Sequence, residues 1–242
     1  MTAPLLSVES ISKHFGGFAA LSEVSVTVAP GERLGIIGPN GSGKTTLINC
    51  ICGFLRSDGG SIRFDNKNIS RFAPHQRTRL GIARSFQIPR PFSSMSVAEN
   101  IAVPLEYVVH RRSLHKADVN GEARELLAQM GLAGKADTNA GALTQVHLRK
   151  LELARALATR PRLLILDEVM AGLAAAEVDE MLDIVLSVSQ RGVAIIMIEH
   201  IMRAIMRFSE RVVCLDAGRI VAEAPPLAII QDPMVRRIYL GA

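Results

Sequence analysis

The stretch GPNGSGKTT at residues 38–46 decides the fold of this chain. It fits the pattern G-x-x-x-x-G-K-[ST]. The fixed positions of that pattern are occupied by Gly38, Gly43, Lys44 and Thr45. The run before it, at 34–37, is short and apolar like a buried strand, and the run at 46–51 can continue as a helix. Strand, glycine-rich turn and helix start together predict a loop that binds the phosphates of a nucleoside triphosphate, rather than a chance turn that carries a lysine.

The residue types in this segment, called the phosphate loop below, suit that chemistry. Glycines let the backbone turn tightly, so that N–H groups at a helix N-terminus converge on phosphate oxygens. We expect Lys44 to reach the β- and γ-phosphates and the Thr45 hydroxyl to coordinate Mg²⁺. The predicted nucleotide-binding residues of the loop are Gly38, Pro39, Asn40, Gly41, Ser42, Gly43, Lys44, Thr45 and Thr46.

The composition is that of a globular chain. Hydrophobic residues make up 48% and charged residues 21% of 242 residues, which is enough to bury the core of one large domain. Aromatic residues are only 4%, Trp is absent, and the net charge of +5 is scattered along the chain. We therefore expect a solvated basic surface and no nucleic-acid partner.

The cysteines and the hydropathy indicate the compartment. Cys50, Cys52 and Cys214 cannot all pair, and no His or Cys cluster accompanies them, so we expect reduced thiols, no zinc and a cytosolic chain. The first ten residues have no basic region followed by an apolar core, so we expect no secretion signal. No apolar stretch approaches the ~18 to 20 residues of a membrane span. A membrane role would then depend on a partner.

The pattern of apolar residues predicts an α/β fold with a parallel core, an N-terminal antiparallel β subdomain and an inserted α-helical subdomain. Residues 5–13 and 21–28 are typical of antiparallel strands, and residues 24–28 alternate strictly. Continuous apolar runs at 163–166 and 193–198 are typical of buried parallel strands. The predicted parts of this single domain are the core with its β subdomain at 1–87 and 160–242, and the helical subdomain at 88–159.

Five further side chains are candidates for the nucleotide site. Asp167 and Glu168 follow a buried strand, at the edge where ligands bind in open α/β sheets. We expect Asp167 to hold Mg²⁺ and Glu168 to polarise the attacking water. Gln87 and His200 also end predicted strands, where Gln87 would bind Mg²⁺ or orient the water and His200 would hydrogen-bond the γ-phosphate. Phe15 would stack on the adenine. Taken alone, each has an ordinary alternative as a cap, surface or core residue.

In this order and spacing, the motifs resemble the ATP-binding cassette (ABC) family over nearly the whole chain. The resemblance implies a RecA-like P-loop NTPase core, hydrolysis of ATP with Mg²⁺, and a site in which one subunit's phosphate loop faces the other's signature segment. It makes Gln87 the mobile glutamine loop, residues 171–173 the dimer loop and His200 the switch histidine. The signature segment here consists of Leu143, Thr144, Gln145, Val146 and His147.

A narrower resemblance links the chain to the ATPase subunits of branched-chain amino acid and related amide importers. It rests on residues 83–87, 95–101, 216–223, 232–233 and 239–241. It implies a cytoplasmic subunit held at the inner face of the cell membrane by integral permease subunits, with a solute-binding protein as an indirect partner. We expect residues 92–101 to touch the membrane partner.

The signature segment departs from the family pattern of Leu-Ser, then Gly or an aromatic, then Gly-Gln. Thr144 keeps a hydroxyl, but Val146 stands where glycine is usual, and forcing a β-branched residue to φ > 0 would cost about 1–3 kcal/mol. Val169 and Ala174 also replace the usual proline and polar residue. We therefore expect a heterodimer with a second ABC ATPase, in which this chain's own site is competent and the site completed by its signature segment is impaired.

Two alternatives stay open at this point. One is a soluble ABC ATPase that acts on nucleic acid or ribosomes. The other is a regulatory subunit that binds ATP to close the dimer but does not hydrolyse it.

Overall fold

Two β-sheets organise the residues that this computed structural model describes, which are 3–86, 88–110 and 118–240. The strands are β1 (Leu6–Phe15), β2 (Phe18–Val28), β3 (Arg33–Ile37), β4 (Gly59–Phe64), β5 (Lys67–Asn68), β6 (Ile82–Ser85), β7 (Leu163–Asp167), β8 (Ala194–Ile198), β9 (Arg211–Asp216) and β10 (Arg219–Ala224). The helices are α1 (Lys44–Cys52), α2 (Pro74–Leu80), α3 (Val97–Pro104), α4 (Val119–Gln129), α5 (Gln145–Leu157), α6 (Ala175–Ser189), α7 (Met202–Phe208), α8 (Pro226–Ile229) and α9 (Pro233–Leu240).

The larger sheet carries the phosphate loop. Its order is β10-β9-β3-β8-β7-β6, and all its pairings except β9 with β10 are parallel. Every side chain of β7 and β8 is buried, as expected for continuous apolar runs covered on both faces. The strands predicted at 163–166 and 193–198 are therefore confirmed, and so is the α/β fold with a parallel core.

The smaller sheet has the order β2-β1-β4-β5 and is antiparallel throughout. Along the end of β2, Val24, Val26 and Val28 are buried while Ser25 and Thr27 are exposed. This period of two places one face of the strand on the core and the other in solvent. The predicted N-terminal antiparallel unit is confirmed.

Helices α3, α4 and α5 all lie between β6 and β7, in the region predicted to be helical. The start of α3 is set by a capping box, because Ser96 Oγ accepts from Glu99 N–H while the Glu99 carboxylate accepts from Ser96 N–H. Helix α3 ends at Pro104, and a π-helical turn, Leu105–Val109, follows. Proline cannot donate to the preceding turn, and this change of helix type accommodates it.

The sheet edges and helices share an apolar interior. One cluster of buried residues fills the space between the larger sheet and α3 to α6, and a second joins that sheet's other face to α1 and the antiparallel sheet. The three cysteines are free and buried, as expected for reduced thiols. Among the described residues, no helix combines the length and apolar character needed to cross a membrane.

A buried arginine ties α1 to α2. Arg77 is only 2% exposed, and its guanidinium donates to the carbonyls of Cys50 (2.7 Å), Ile51 (2.7 Å), Phe72 (3.0 Å) and Ser70 (3.2 Å). Two of these carbonyls lie in the last turn of α1, where a positive charge is favourable. Arg77 therefore supports the helix that begins at the phosphate loop.

We predict that Arg77→Met lowers the free energy of unfolding by about 1–3 kcal/mol, because the substitution leaves buried carbonyls without donors. Urea denaturation measures the change. Arg79→Met is the matched control, since Arg79 lies on the same helix but is exposed, and it should change stability by less than about 0.5 kcal/mol. Equal stability of the two variants would contradict this role for Arg77.

Candidate nucleotide-binding site

The phosphate loop is a tight turn between β3 and α1. Gly38 has φ 153° and Gly43 has φ 105°. A Cβ atom on Gly38 would lie 2.2 Å from the Leu215 carbonyl oxygen, and one on Gly43 would lie 2.6 Å from the Ala20 carbonyl oxygen. Only glycine fits either position, because both the backbone conformation and the contact with neighbouring backbone exclude a side chain. The loop is thus locked against β9 on one side and β2 on the other.

Two polar side chains of the loop are turned inward. Lys44 Nζ donates to the carbonyls of Gly38 (2.7 Å) and Pro39 (2.9 Å). Burial lowers the pKa of Lys44, and the nearby Glu168 and Asp167 act in the opposite direction. Ser42 Oγ is buried without a hydrogen-bond partner among the described residues. A buried hydroxyl without a partner and an ammonium group beside it suit an anion with several acceptor oxygens, such as a phosphate.

The carboxyl ends of β7 and β8 bring an acid and a histidine together. Asp167 lies in register with Ile198, and Glu168 N–H donates to the Ile198 carbonyl (2.9 Å). His200 Nε2 lies 2.8 Å from Glu168 Oε1. Glu168 has φ 51°, a left-handed conformation that is unfavourable for a non-glycine residue. The structure therefore pairs the predicted catalytic acid with the predicted switch histidine.

A cavity of about 250 Å³ joins these parts. It is lined by Phe15, Phe18, Ala20, the loop from Asn40 to Thr46, and Glu168. Phe15 is 49% exposed and Phe18 is 62% exposed, so both rings are available to a ligand that enters the cavity. Exposed aromatic faces beside a phosphate-binding loop suit a base at one end of the cavity and phosphates at the other.

Asp167 and Thr45 line a second, adjoining cavity of about 410 Å³. Asp167 Oδ2 accepts from Arg84 Nη2 (2.6 Å), and Arg84 Nη1 donates to Asn49 Oδ1 (2.6 Å). No group of three or more His, Cys, Asp and Glu side chains that could hold a metal occurs in the described ranges. A hydroxyl and one carboxylate nevertheless fit Mg²⁺ bound with a nucleotide, since this ion takes few protein ligands and completes its shell with phosphate oxygens and water.

The structure thus places most predicted site residues at one sheet edge. Gln87, predicted to bind Mg²⁺ or orient water, lies outside the described residues. The signature segment does not line the nucleotide cavity. It lies at the start of α5, where Gln145 Nε2 would be 3.4 Å from a Cβ atom built on Gly172. The signature segment therefore lies apart from this chain's own nucleotide cavity, as a segment that serves another subunit's nucleotide would.

The expected backbone strain at Val146 is wrong. Helix α5 begins at Gln145 with Thr144 as its N-cap, and Val146 lies in the first helical turn without a positive φ. A valine adopts this conformation without strain. The Thr144 hydroxyl does not cap the helix and lies 2.9 Å from His147 Nδ1. Valine at position 146 therefore differs from glycine through the bulk of its side chain. It lies at a helix N-terminus, where glycine would leave the backbone N–H groups open to an anion.

Sequence reasoning missed three residues around the site. Arg84, in an otherwise apolar strand, contacts Asp167 as described above. Glu199 is buried beside His200 and accepts from Met170 N–H (2.9 Å), and burial raises its pKa to about 7. The available signal was a charged residue within or directly after a strand, since Arg84 lies within β6 and Glu199 follows β8. The third, Tyr239, accepts from Gly38 N–H (2.6 Å) across 201 positions, and no local pattern indicates that contact.

Comparison with known proteins agrees with this geometry. The family model for the ABC transporter matches residues 21–171. A probable branched-chain amino acid transport ATP-binding protein, LivG of Methanocaldococcus jannaschii, is 34% identical, with 99% of this chain and 98% of that protein aligned. The lipopolysaccharide export system ATP-binding protein LptB of Acidithiobacillus ferridurans is also 34% identical, with 98% and 97% aligned.

Among solved structures, the ADP conformation of an ATP-binding cassette of an ABC transporter superposes with a TM-score of 0.88. That protein is 34% identical, and the alignment covers 100% of both chains. The predicted ABC ATPase fold is therefore confirmed. The chain belongs to the ABC transporter family and is one of its ATP-binding, ATP-hydrolysing cassettes.

Proposed function

We propose that this chain powers the import of a small solute, and that the solute is a branched-chain amino acid or a related compound. The observation that carries the proposal is the pairing of Glu168 with His200 at the mouth of the phosphate-loop cavity. The solute class is supported by full-length similarity to LivG and by the importer-type segments in the sequence. The export ATPase LptB is as similar in sequence to this chain as LivG is, so the solute is to be tested directly.

The proposed reaction is in-line hydrolysis of ATP. Thr45 and Asp167 would hold Mg²⁺, which when bound would neutralise charge on the phosphate oxygens. Lys44 would turn from the loop carbonyls to the β- and γ-phosphate oxygens. Glu168 would accept a proton from the attacking water, and His200 would hold the Glu168 carboxylate in place. Phe15 would stack on the adenine.

We propose that the site is completed by a second ABC ATPase subunit. The signature segment lies outside the chain's own cavity, so that cavity lacks the donors needed to clasp a γ-phosphate from the far side. The altered Thr144-to-His147 run would serve the partner's nucleotide poorly, because Val146 adds side-chain bulk in the first turn of α5, where an anion would approach the N–H groups. A heterodimer with one competent and one impaired site follows from this asymmetry.

We propose that a groove beside the helical insertion receives the permease. The groove has a volume of about 310 Å³ and is open at the surface between β6 and the end of α3. Its apolar lining residues are Ala83, Phe86, Val103, Pro104, Tyr107, Val108 and Ala156. Of the segment first expected to touch the membrane partner, Val97, Asn100 and Ile101 are buried, whereas Phe92 and Glu99 are exposed. The groove would add an apolar docking surface beside that segment and would hold the subunit at the inner face of the membrane.

For the hydrolytic role, we predict that Glu168→Gln lowers ATP turnover by about 10²- to 10⁴-fold, because the amide cannot accept the proton from water. ATP binding should be retained, which a filter assay with labelled ATP measures. Glu125→Gln, at an exposed position on α4, is the control and should turn over ATP like the wild type. In the assembled dimer, undiminished turnover with Glu168→Gln would favour a regulatory subunit, because the partner subunit would then hydrolyse the ATP.

For the impaired site, we predict that the double variant Val146→Gly with His147→Gln raises ATP turnover of the purified chain about tenfold, since it exposes the N–H groups of α5 to the facing phosphate. Glycine in the first turn would cost only about 1 kcal/mol of stability. Adding Lys44→Ala should abolish the gain if the extra turnover uses the phosphate loop. A wild-type chain that already runs at the restored rate would contradict the heterodimer.

For the groove, we predict that Tyr107→Asp reduces co-purification of the chain with its permease from detergent by about tenfold, because a charge would be buried against an apolar segment. Tyr107 is 69% exposed, so the substitution spares the core. Leu227→Asp is the matched control. It also places a charge at an exposed apolar residue (71%), but on α8, so it should co-purify like the wild type. If both variants are captured as well as the wild type, the permease docks elsewhere.

A further inference from the structure

The last helix of the described chain reaches the phosphate loop. The start of α9 is capped by Asp232, whose Oδ1 accepts from the N–H groups of Met234 (2.8 Å) and Val235 (3.1 Å). Val235 is buried at 3% exposure and fixes the helix to the core. Near the other end, the Tyr239 hydroxyl accepts from Gly38 N–H at 2.6 Å. The helix is thus anchored at its start and contacts the first residue of the loop near its end.

The peptide groups around Gly38 are held from two directions. The Gly38 carbonyl accepts from Lys44 Nζ, and the Gly38 N–H donates to Tyr239. An ammonium group has three donors, and two of those on Lys44 are directed to loop carbonyls. When Lys44 turns toward a phosphate, these bonds weaken. Tyr239 does not line the nucleotide cavity, so its bond to Gly38 can persist when Lys44 turns and hold the start of the loop.

The surroundings make this bond hard to replace. The backbone at Gly38 lies so close to β9 that a Cβ atom would be 2.2 Å from the Leu215 carbonyl oxygen. Burial raises the pKa of the Tyr239 hydroxyl to about 12, so the phenol stays neutral at any pH at which the subunit would work. A neutral hydroxyl at a fixed distance is a constant acceptor, independent of pH and of ligand.

We propose that Tyr239 is a positioning residue for nucleotide binding, whose hydroxyl holds the Gly38 amide so that the C-terminal helix sets the affinity of the phosphate loop for ATP. Tyr239 has no contact with the Glu168–His200 pair in this proposal and takes no part in bond breaking. The inference rests on nucleotide binding by the loop and is independent of the transported solute.

Tyr239→Phe tests this, because it removes only the hydroxyl. With Mg²⁺ and a fluorescent ATP analogue, we expect the Kd of the full-length subunit to rise about three- to tenfold, since the Gly38 N–H loses its partner. The kcat at saturating ATP should stay within about twofold, which separates binding from chemistry. Arg237→Gln, at an exposed position on the same helix, should leave the Kd within about twofold of the wild type.

Hydrogen exchange gives a second readout that a purely structural role would not produce. In Tyr239→Phe without nucleotide, amide exchange should quicken in the phosphate loop and stay unchanged in β7 and β8. Wild-type affinity and wild-type loop protection in Tyr239→Phe would overturn the proposal, and so would faster exchange throughout the chain. If the wild-type subunit bound no nucleotide analogue, the nucleotide site itself would be wrong, and this inference with it.

Discussion

The parallel pairing of β3 with β8 and of β8 with β7 is the constraint on which the rest of the structure depends. Parallel strands end at the same edge of a sheet, so whatever follows each of them meets there. The phosphate loop follows β3, Glu168 follows β7, and Glu199 and His200 follow β8. Three segments, at 38–46, 168 and 199–200, are thereby brought to one place. Because the strands are buried on both faces, their register cannot slip without exposing apolar side chains.

Several polar groups lie at this edge, and three of them are stabilised by specific contacts. Lys44 donates to two carbonyls, Asp167 accepts from Arg84, and Glu199 accepts from Met170 N–H. Such contacts reduce the cost of removing these groups from water. The Glu168 backbone remains in a left-handed conformation, which costs about 1–3 kcal/mol and persists because the strands on both sides fix it. The site is therefore formed before a nucleotide arrives.

The sequence predicted the parts of this site that are encoded locally. Strand, glycine turn and helix follow each other in the phosphate loop, and two acids follow an apolar run at Asp167, so each could be identified from neighbouring residues alone. The contact between Tyr239 and Gly38 could not, because it depends on where the last helix packs. The start of α3 could be predicted from the sequence, because Ser96 and Glu99 form a capping box. Its end could not, because it depends on how the chain accommodates Pro104.

Val146 shows why the conformation of a residue must be known before its substitution can be interpreted. If the backbone at this position had φ > 0, valine would strain it and destabilise the whole subunit. In α5 the same valine has an ordinary helical backbone, so the subunit folds without strain and its own phosphate loop is untouched. The valine side chain then affects only how closely an anion can approach the start of the helix. In the heterodimer proposed above, such a change would weaken only the binding of a nucleotide held by the other subunit, and this subunit would keep its own activity.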